Sequence, residues 1–232
     1  MKLPKHIGII MDGNGRWGVK NFANRIQGHK KGADVLIDII LESLNNNIEY
    51  LSVFAFSTEN WKRDKKEIDF LMTLPSVLYK LWEKKFQTYD VRFKIIGDTS
   101  VFSPMVQNVI KKIEKNSSHN SKLTVNVCFN YSGQQDIQFA MQNIAREMEN
   151  GVISSSDISP ELISDNLSTA GQPDLDLIIR TSGEFRLSNF MLWQASYAEF
   201  YVSQANWPEF TKDEYLAAIR NFAQRERRYG GN

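Results

Sequence analysis

Three polar stretches hold the side chains able to do chemistry. The first is Asp12-Gly13-Asn14-Gly15-Arg16, directly after the apolar run 7–11. Its glycines let the backbone turn tightly and bring N–H groups close to a ligand. Asn14 adds an amide, and Arg16 can grip a phosphate through two parallel hydrogen bonds. Asp12 is the misfit, because a carboxylate repels phosphate unless a divalent cation stands between them. Mg2+ suits that place, being held by one or two carboxylates together with substrate phosphates. Downstream, Arg25 and His29-Lys30-Lys31 add positive charge near an expected helix start, itself an anion site. Taken alone, residues 12–15 also read as a turn whose Asp and Asn satisfy local backbone groups. Trp17, Arg25 and Gly28-His29-Lys30 favour the phosphate reading.

The second stretch, Phe56-Ser57-Thr58-Glu59-Asn60-Trp61-Lys62-Arg63, puts hydroxyls, an amide, a carboxylate and cations on one strand-to-helix loop. That mixture suits proton transfer, or positioning beside a charged group; the bland alternative is a capped loop with Trp61 in the core. In the third stretch Arg180, Arg186 and Ser188 form another cationic site. Two such sites predict two phosphorylated substrates meeting, although a pair of arginines is otherwise only a solvated face.

Positioning these loops requires strands that end where they begin. Residues 7–11, 51–56, 91–96, 123–129, 175–179 and 199–202 read as strands. Helices are expected from about 31 to 45, 67–86, 104–115, 136–149, 160–168 and 212–225. The alternation predicts an α/β fold: one domain over 1–232, with a mostly parallel central sheet of about six strands flanked by helices. Ligands of such sheets bind beyond the carboxyl ends of the strands, where all three polar stretches lie. Helix 67–86 is apolar around much of its surface, and Pro75 in its interior predicts a kink. Such a helix either completes the core or, with Val35, Leu36, Ile39 and Ile40, lines a hydrophobic tunnel. Ala55, small between Phe54 and Phe56, leaves room there.

Bulk composition excludes more than it selects. A net charge of +1 gives no electrostatic reason to bind nucleic acid. Hydrophobic residues at 42% and charged residues at 24% support a buried core without disulfides. The one cysteine, Cys128, points to a reducing compartment. No apolar stretch reaches the ~20 residues needed to span a bilayer, and the start lacks the core of a secretory signal. A cytoplasmic protein is expected, with membrane contact at most peripheral at the inner membrane surface.

The strings Met11-Asp12-Gly13-Asn14-Gly15-Arg16-Trp17, Gly28-His29-Lys30, Phe56-Ser57-Thr58-Glu59-Asn60-Trp61, Arg180-Thr181-Ser182-Gly183-Glu184, Arg186-Leu187-Ser188-Asn189-Phe190 and Arg225-Glu226-Arg227-Arg228-Tyr229-Gly230 resemble the cis-prenyltransferase family, its bacterial undecaprenyl diphosphate synthases above all. The resemblance spans nearly the whole chain in order. It implies condensation of isopentenyl diphosphate onto an allylic diphosphate such as farnesyl diphosphate, giving a polyprenyl lipid-carrier precursor for cell-wall glycans. By the same resemblance Asp12 holds Mg2+. Gly13, Asn14, Gly15, Arg16, Trp17, Arg25 and His29 then belong to the allylic site, and Arg180, Arg186 and Ser188 hold isopentenyl diphosphate. Ser57 and Asn60 lie near the departing proton; Thr58, Glu59, Trp61, Arg63 and Glu67 shape the site.

A homodimer is also implied, with Glu199 of a neighbouring subunit as a further metal ligand and Arg228-Tyr229-Gly230 reaching the partner's site. Four positions depart from the pattern, among them Pro75, which is less usual within the tunnel helix and bears on product length. Ser182 replaces a common glycine, which implies a re-aimed arginine loop; Ser132 replaces another glycine. Asp64 stands where proline is common, implying a looser loop before the helix. Other readings are a short-chain synthase, a non-catalytic subunit of a heteromer, and a phosphatase, which needs neither two arginine sites nor a tunnel.

Overall fold

The structure is a computed structural model that describes residues 3–82 and 88–226. Six parallel strands form one sheet in the order β3-β4-β2-β1-β5-β6. They are β1 (His6–Ile10), β2 (Tyr50–Ser57), β3 (Val91–Ile96), β4 (Leu123–Tyr131), β5 (Leu177–Arg180) and β6 (Glu199–Val202). The helices are α1 (Asn14–Phe22), α2 (Arg25–Asn45), α3 (Lys65–Leu71), α4 (Leu74–Trp82), α5 (Pro104–Ser117), α6 (Gly133–Glu149), α7 (Pro160–Asn166) and α8 (Lys212–Ala223).

Alternation along the strands sorts the two faces. Ile7, Ile9, Leu51, Val53, Val125, Leu177 and Ile179 join residues of α2, α5 and α8 in the larger core. Ile10, Ile96, Cys128 and Ile178 pack on the other face against Leu175, Phe190 and Met191. The expected sheet is therefore present, with β3 and β6 at the anticipated residues.

Helix boundaries differ in informative ways. Residues 14–16, read from sequence as loop, form the first turn of α1. Gly13 makes this possible: at φ 98° it turns the chain sharply into the helix. α2 begins at Arg25 rather than 31, capped by Asn24, whose side chain accepts from the Ile26 N–H. Gly28 lets α1 and α2 touch, since the Asn14 carbonyl occupies the place of a Cβ. The single helix expected over 67–86 is two helices. The break falls just before Pro75, which sits in the first turn of α4, where a missing N–H costs nothing. Residues 83–86 of that expected helix lie outside the described residues. Asp64 does not loosen its loop; it caps α3, accepting from Lys66 N–H at 2.9 Å. Ser132 likewise caps α6, which starts three residues earlier than expected.

β2 and β4 carry paired irregularities. Their register shifts after Phe54 and again after Phe56, and Asn130 adopts φ 47°. An extra residue in each strand re-aims the side chains near the carboxyl end. Ala55 thereby lines the site's cavity, and Asn130 is placed to bond the Trp61 indole and the Asp98 carbonyl.

Candidate active site

Asp12 lies just past the end of β1, between the last residues of β2 and β5. Arg180 closes β5 and is only 3% exposed. Its Nη2 donates to Asp12 Oδ2 at 2.9 Å, and its Nη1 donates to Ser188 Oγ at 2.8 Å and to the Arg186 carbonyl. Asp12 Oδ1 accepts from Gly13 N–H at 2.7 Å and from Arg16 Nη2 at 3.4 Å. Burial, the largest influence on Asp12, opposes its charge. The bond and charge of Arg180, the charge of Arg16 and the Gly13 N–H prevail, holding the carboxyl below its ordinary range. The first-turn N–H groups of α1 add donors that no carbonyl inside that helix can satisfy.

Beside this centre Glu67 gathers three cationic or ionisable partners. Arg25 Nε lies 2.6 Å from Oε2, and His29 Nε2 and Arg63 Nη1 lie 2.9 and 3.1 Å from Oε1. Burial again works against the carboxylate as the largest influence. Hydrogen bonds from His29 and Arg25 and the charge of Arg63 outweigh it and hold the pKa at about 2. At the rim Glu184 contacts Arg16 at 3.4 Å and Arg186 at 2.5 Å. Each group of expected phosphate-binding cations thus rests on a protein carboxylate, which phosphate oxygens can replace.

The second polar stretch forms a 3-10 turn, Thr58–Lys62, after β2. Ser57 N–H donates to Asn60 Oδ1 at 3.2 Å, and both residues face the cavity. Glu59 accepts from Asn189 at 2.9 Å, tying this turn to the arginine loop. Trp61 is not buried in the core: it is 42% exposed, its indole N–H donates to Asn130 Oδ1 at 2.8 Å, and its ring meets Phe56 edge-on. Trp17 packs its ring at a tilt against Phe22 along α1 and does not line the cavity.

A cavity of about 310 Å3 runs from these charges into the apolar interior. Asp12, Arg25, His29, Arg63, Arg180 and Ser188 line its polar part. Leu36, Ile40, Leu71, Leu78, Phe93 and Ile113 line the rest, with Ala55 contributing the expected space. Val35 and Ile39, anticipated on the tunnel face, point elsewhere into the larger core.

Asp12 fits a Mg2+ ion: a carboxylate offers about four acceptor positions, of which three are taken. Among the described residues no three His, Cys, Asp or Glu side chains form a ready metal cluster. An ion there would draw its other ligands from substrate phosphate and water. Glu199 starts β6 and pairs with Arg225 at 2.5 Å. Register places it level with Leu177 and hence Ile7, at the opposite end of the sheet from Asp12. Within one chain the two carboxylates cannot share an ion. Arg228-Tyr229-Gly230 lies outside the described residues.

Two side-chain atoms of the site are buried without a hydrogen-bond partner, Asn14 Oδ1 and Arg180 Nε. Sequence reading missed Asn130, Asn206 and Trp207. The Trp207 N–H donates to the Asp12 carbonyl at 2.9 Å, alongside Thr181 Oγ1 at 2.7 Å. Nothing local in the sequence marks a clamp made from residues this far apart.

The family model for undecaprenyl diphosphate synthases matches residues 10–230. An isoprenyl transferase of Prochlorococcus marinus subsp. pastoris is 44% identical over 230 residues, covering 99% of this chain and 85% of the relative. A (2E,6E)-farnesyl-diphosphate-specific ditrans,polycis-undecaprenyl-diphosphate synthase of Vibrio vulnificus is 42% identical over 228 residues, covering 98% and 91%. The solved structure of lavandulyl diphosphate synthase from Lavandula x intermedia, in complex with dimethylallyl diphosphate, is also similar. Its TM-score is 0.94 at 32% identity, over 98% of each chain.

Proposed function

The chain belongs to the undecaprenyl diphosphate synthase family of prenyltransferases, and we propose that it condenses isopentenyl diphosphate onto farnesyl diphosphate to make a long cis-polyprenyl diphosphate. The observation that carries this reading is the single cavity whose charged part passes directly into an apolar interior. A phosphatase needs the first and has no use for the second. Retention of Asp12, Asn60, Arg180, Arg186 and Ser188 argues against a non-catalytic subunit.

In the proposed reaction the allylic C–O bond breaks, its electron pair leaving with diphosphate. The isopentenyl double bond supplies the electrons of the new C–C bond, and a proton is lost to regenerate an alkene. Arg16, Arg25, His29 and the N–H groups at Gly13, Asn14 and Gly15 bind the allylic diphosphate and stabilise the charge that develops on it. Arg180, Arg186 and Ser188 hold the second diphosphate. Ser57 and Asn60, locked to each other, stand beside the departing proton. Mg2+ held by Asp12 supplies Lewis acidity and a template for the leaving group. Glu199 contributes only from a second copy of the chain, so the active form is a homodimer. Among the described residues no helix is long and apolar enough to cross a membrane; any membrane contact of this cytoplasmic enzyme is peripheral.

Purified protein with Mg2+, farnesyl diphosphate and labelled isopentenyl diphosphate is expected to yield extended, cis-rich product; no product rejects the proposal. A second reading, synthesis of a short product, has one observation in its favour. The cavity sits at the small end of the ~300–1,000 Å3 typical of ligand sites, so a long chain requires it to widen. Product length decides between them. Sedimentation as a stable monomer at working concentration excludes the shared site.

A further inference from the structure

The Asp12–Gly13 turn is held from outside by the start of the arginine loop and by the loop after β6, through residues that the proposed chemistry does not use. Thr181 and Trp207 bond the Asp12 carbonyl. Next to them Ser182 Oγ donates to Asn206 Oδ1 at 3.0 Å. Asn206 Nδ2 donates to Glu209 Oε2 at 3.1 Å, so only one orientation of its amide satisfies both partners. The oriented amide lies over Gly13: a Cβ there would meet Asn206 Oδ1 and stand 2.9 Å from both Asn206 Cβ and Ser182 Oγ. Ser182 itself adopts φ 76°, a left-handed conformation unfavourable for a side chain. Its N–H donates to the Ala205 carbonyl at 2.7 Å, which binds the two loops a second time.

We propose that Ser182 and Asn206 act as a pair of positioning residues, fixing the Asp12 carboxylate relative to Arg180. Ser182 follows Arg180 by two residues, while Asn206 packs on the residue after Asp12. The Ser182–Asn206 bond therefore couples the two sides of the Asp12–Arg180 pair. This rests on the prenyltransfer reading: a mispositioned Asp12 slows release of the allylic diphosphate more than it weakens substrate binding.

The test is steady-state kinetics of Ser182→Ala, Ser182→Gly, Asn206→Ala and the double alanine variant, with wild type assayed alongside. Each single variant is expected to lose about tenfold in kcat, with KM for both diphosphates within about twofold. The double variant is expected to lose no more than the worse single one, the mark of residues acting as a unit. Ser182→Gly keeps the loop foldable because glycine accepts φ 76° without strain. Wild-type kcat in any single alanine variant, or multiplied losses in the double variant, overturns the pairing. Recovery in Ser182→Gly assigns the effect to backbone strain and also overturns it. An inactive wild type rejects the prenyltransfer reading, whereas an active wild type with unaffected variants rejects this proposal alone.

Discussion

Two clusters of polar side chains buried on the sheet are built to opposite standards. Away from the site, His6, Ser52, Asn126 and Gln172 form a closed network on the face carrying the smaller core. His6 Nδ1 donates to the Pro173 carbonyl and Nε2 accepts from Ser52 Oγ, both at 2.7 Å. Asn126 Nδ2 donates to Ser52 Oγ at 2.9 Å, and the Asn126 and Gln172 amides bond reciprocally at 2.6 and 3.2 Å. At the carboxyl ends of β1, β2 and β5, cations outnumber their carboxylates, and Asn14 Oδ1 and Arg180 Nε are buried without partners. Orphaned polar atoms are costly, so the site tolerates what the closed network avoids. The closed network can give only stability and register.

The comparison breaks first at Asp12. Asp12→Ala is expected to lower kcat about a thousandfold while leaving the circular dichroism close to wild type. Near-normal turnover would show that the site end, too, is merely structural. The next largest effect belongs to the other end. Burial, its largest influence, lowers the His6 pKa to about 4, against the Pro173 carbonyl and Asp176. Below the ordinary value of 6.5 an unfolded His6 takes up a proton that the folded one refuses. Stability is therefore full above pH 6.5 and declines as pH falls to about 4, by about 3 kcal/mol at most. His6→Gln should flatten that stretch of a urea-unfolding pH series; an unchanged slope would remove His6 as its cause.

Glu67 titrates in a different window. Its carboxylate, lowered to about 2, contributes stability above the ordinary value of 4.5 that is lost as pH falls through about 2. Between pH 6.5 and 4.5 only the His6 end should weaken. Glu67→Gln removes the charge that aligns Arg25, His29 and Arg63 before substrate arrives, and about tenfold loss in kcat/KM for the allylic diphosphate is expected. The same loss with isopentenyl diphosphate alone would move Glu67 to the other substrate.

What the sequence disclosed follows the same division. The strands were legible because period-two and continuous apolar runs survive without tertiary context. Residues 91–96 and 199–202 match β3 and β6. The charged stretches were legible because phosphate chemistry needs Arg, Gly and amides close together in the chain. α1 was not, since Asn14, Gly15 and Gly18 are poor helix formers, and its stability comes from close packing of Gly18 and Gly28 on the neighbouring helix. The convergence of Arg25, His29 and Arg63 on one carboxylate needs the fold. So does Asn206, which meets Ser182 and Gly13 from a distant loop. The His6 network gave no signal: a histidine, a serine and two amides scattered over the chain look like surface residues until alternation turns them inward.

The smallest expected effect makes the sharpest distinction between the two ends. Gln172→Ala deletes one side of the reciprocal amide pair and leaves Asn126 Oδ1 without its donor in a buried position. Leaving such a group unsatisfied costs about 1–2 kcal/mol, visible as a lower urea midpoint at unchanged slope. Turnover at saturating substrate should stay at wild-type level, because nothing in this network touches the cavity. A drop in kcat beyond about twofold would mean that the closed network transmits to Asp12 through β1, the strand that begins at His6 and leads into the Asp12 turn. The two clusters would then be one system, and the completeness of the first would be part of how the second holds its charge.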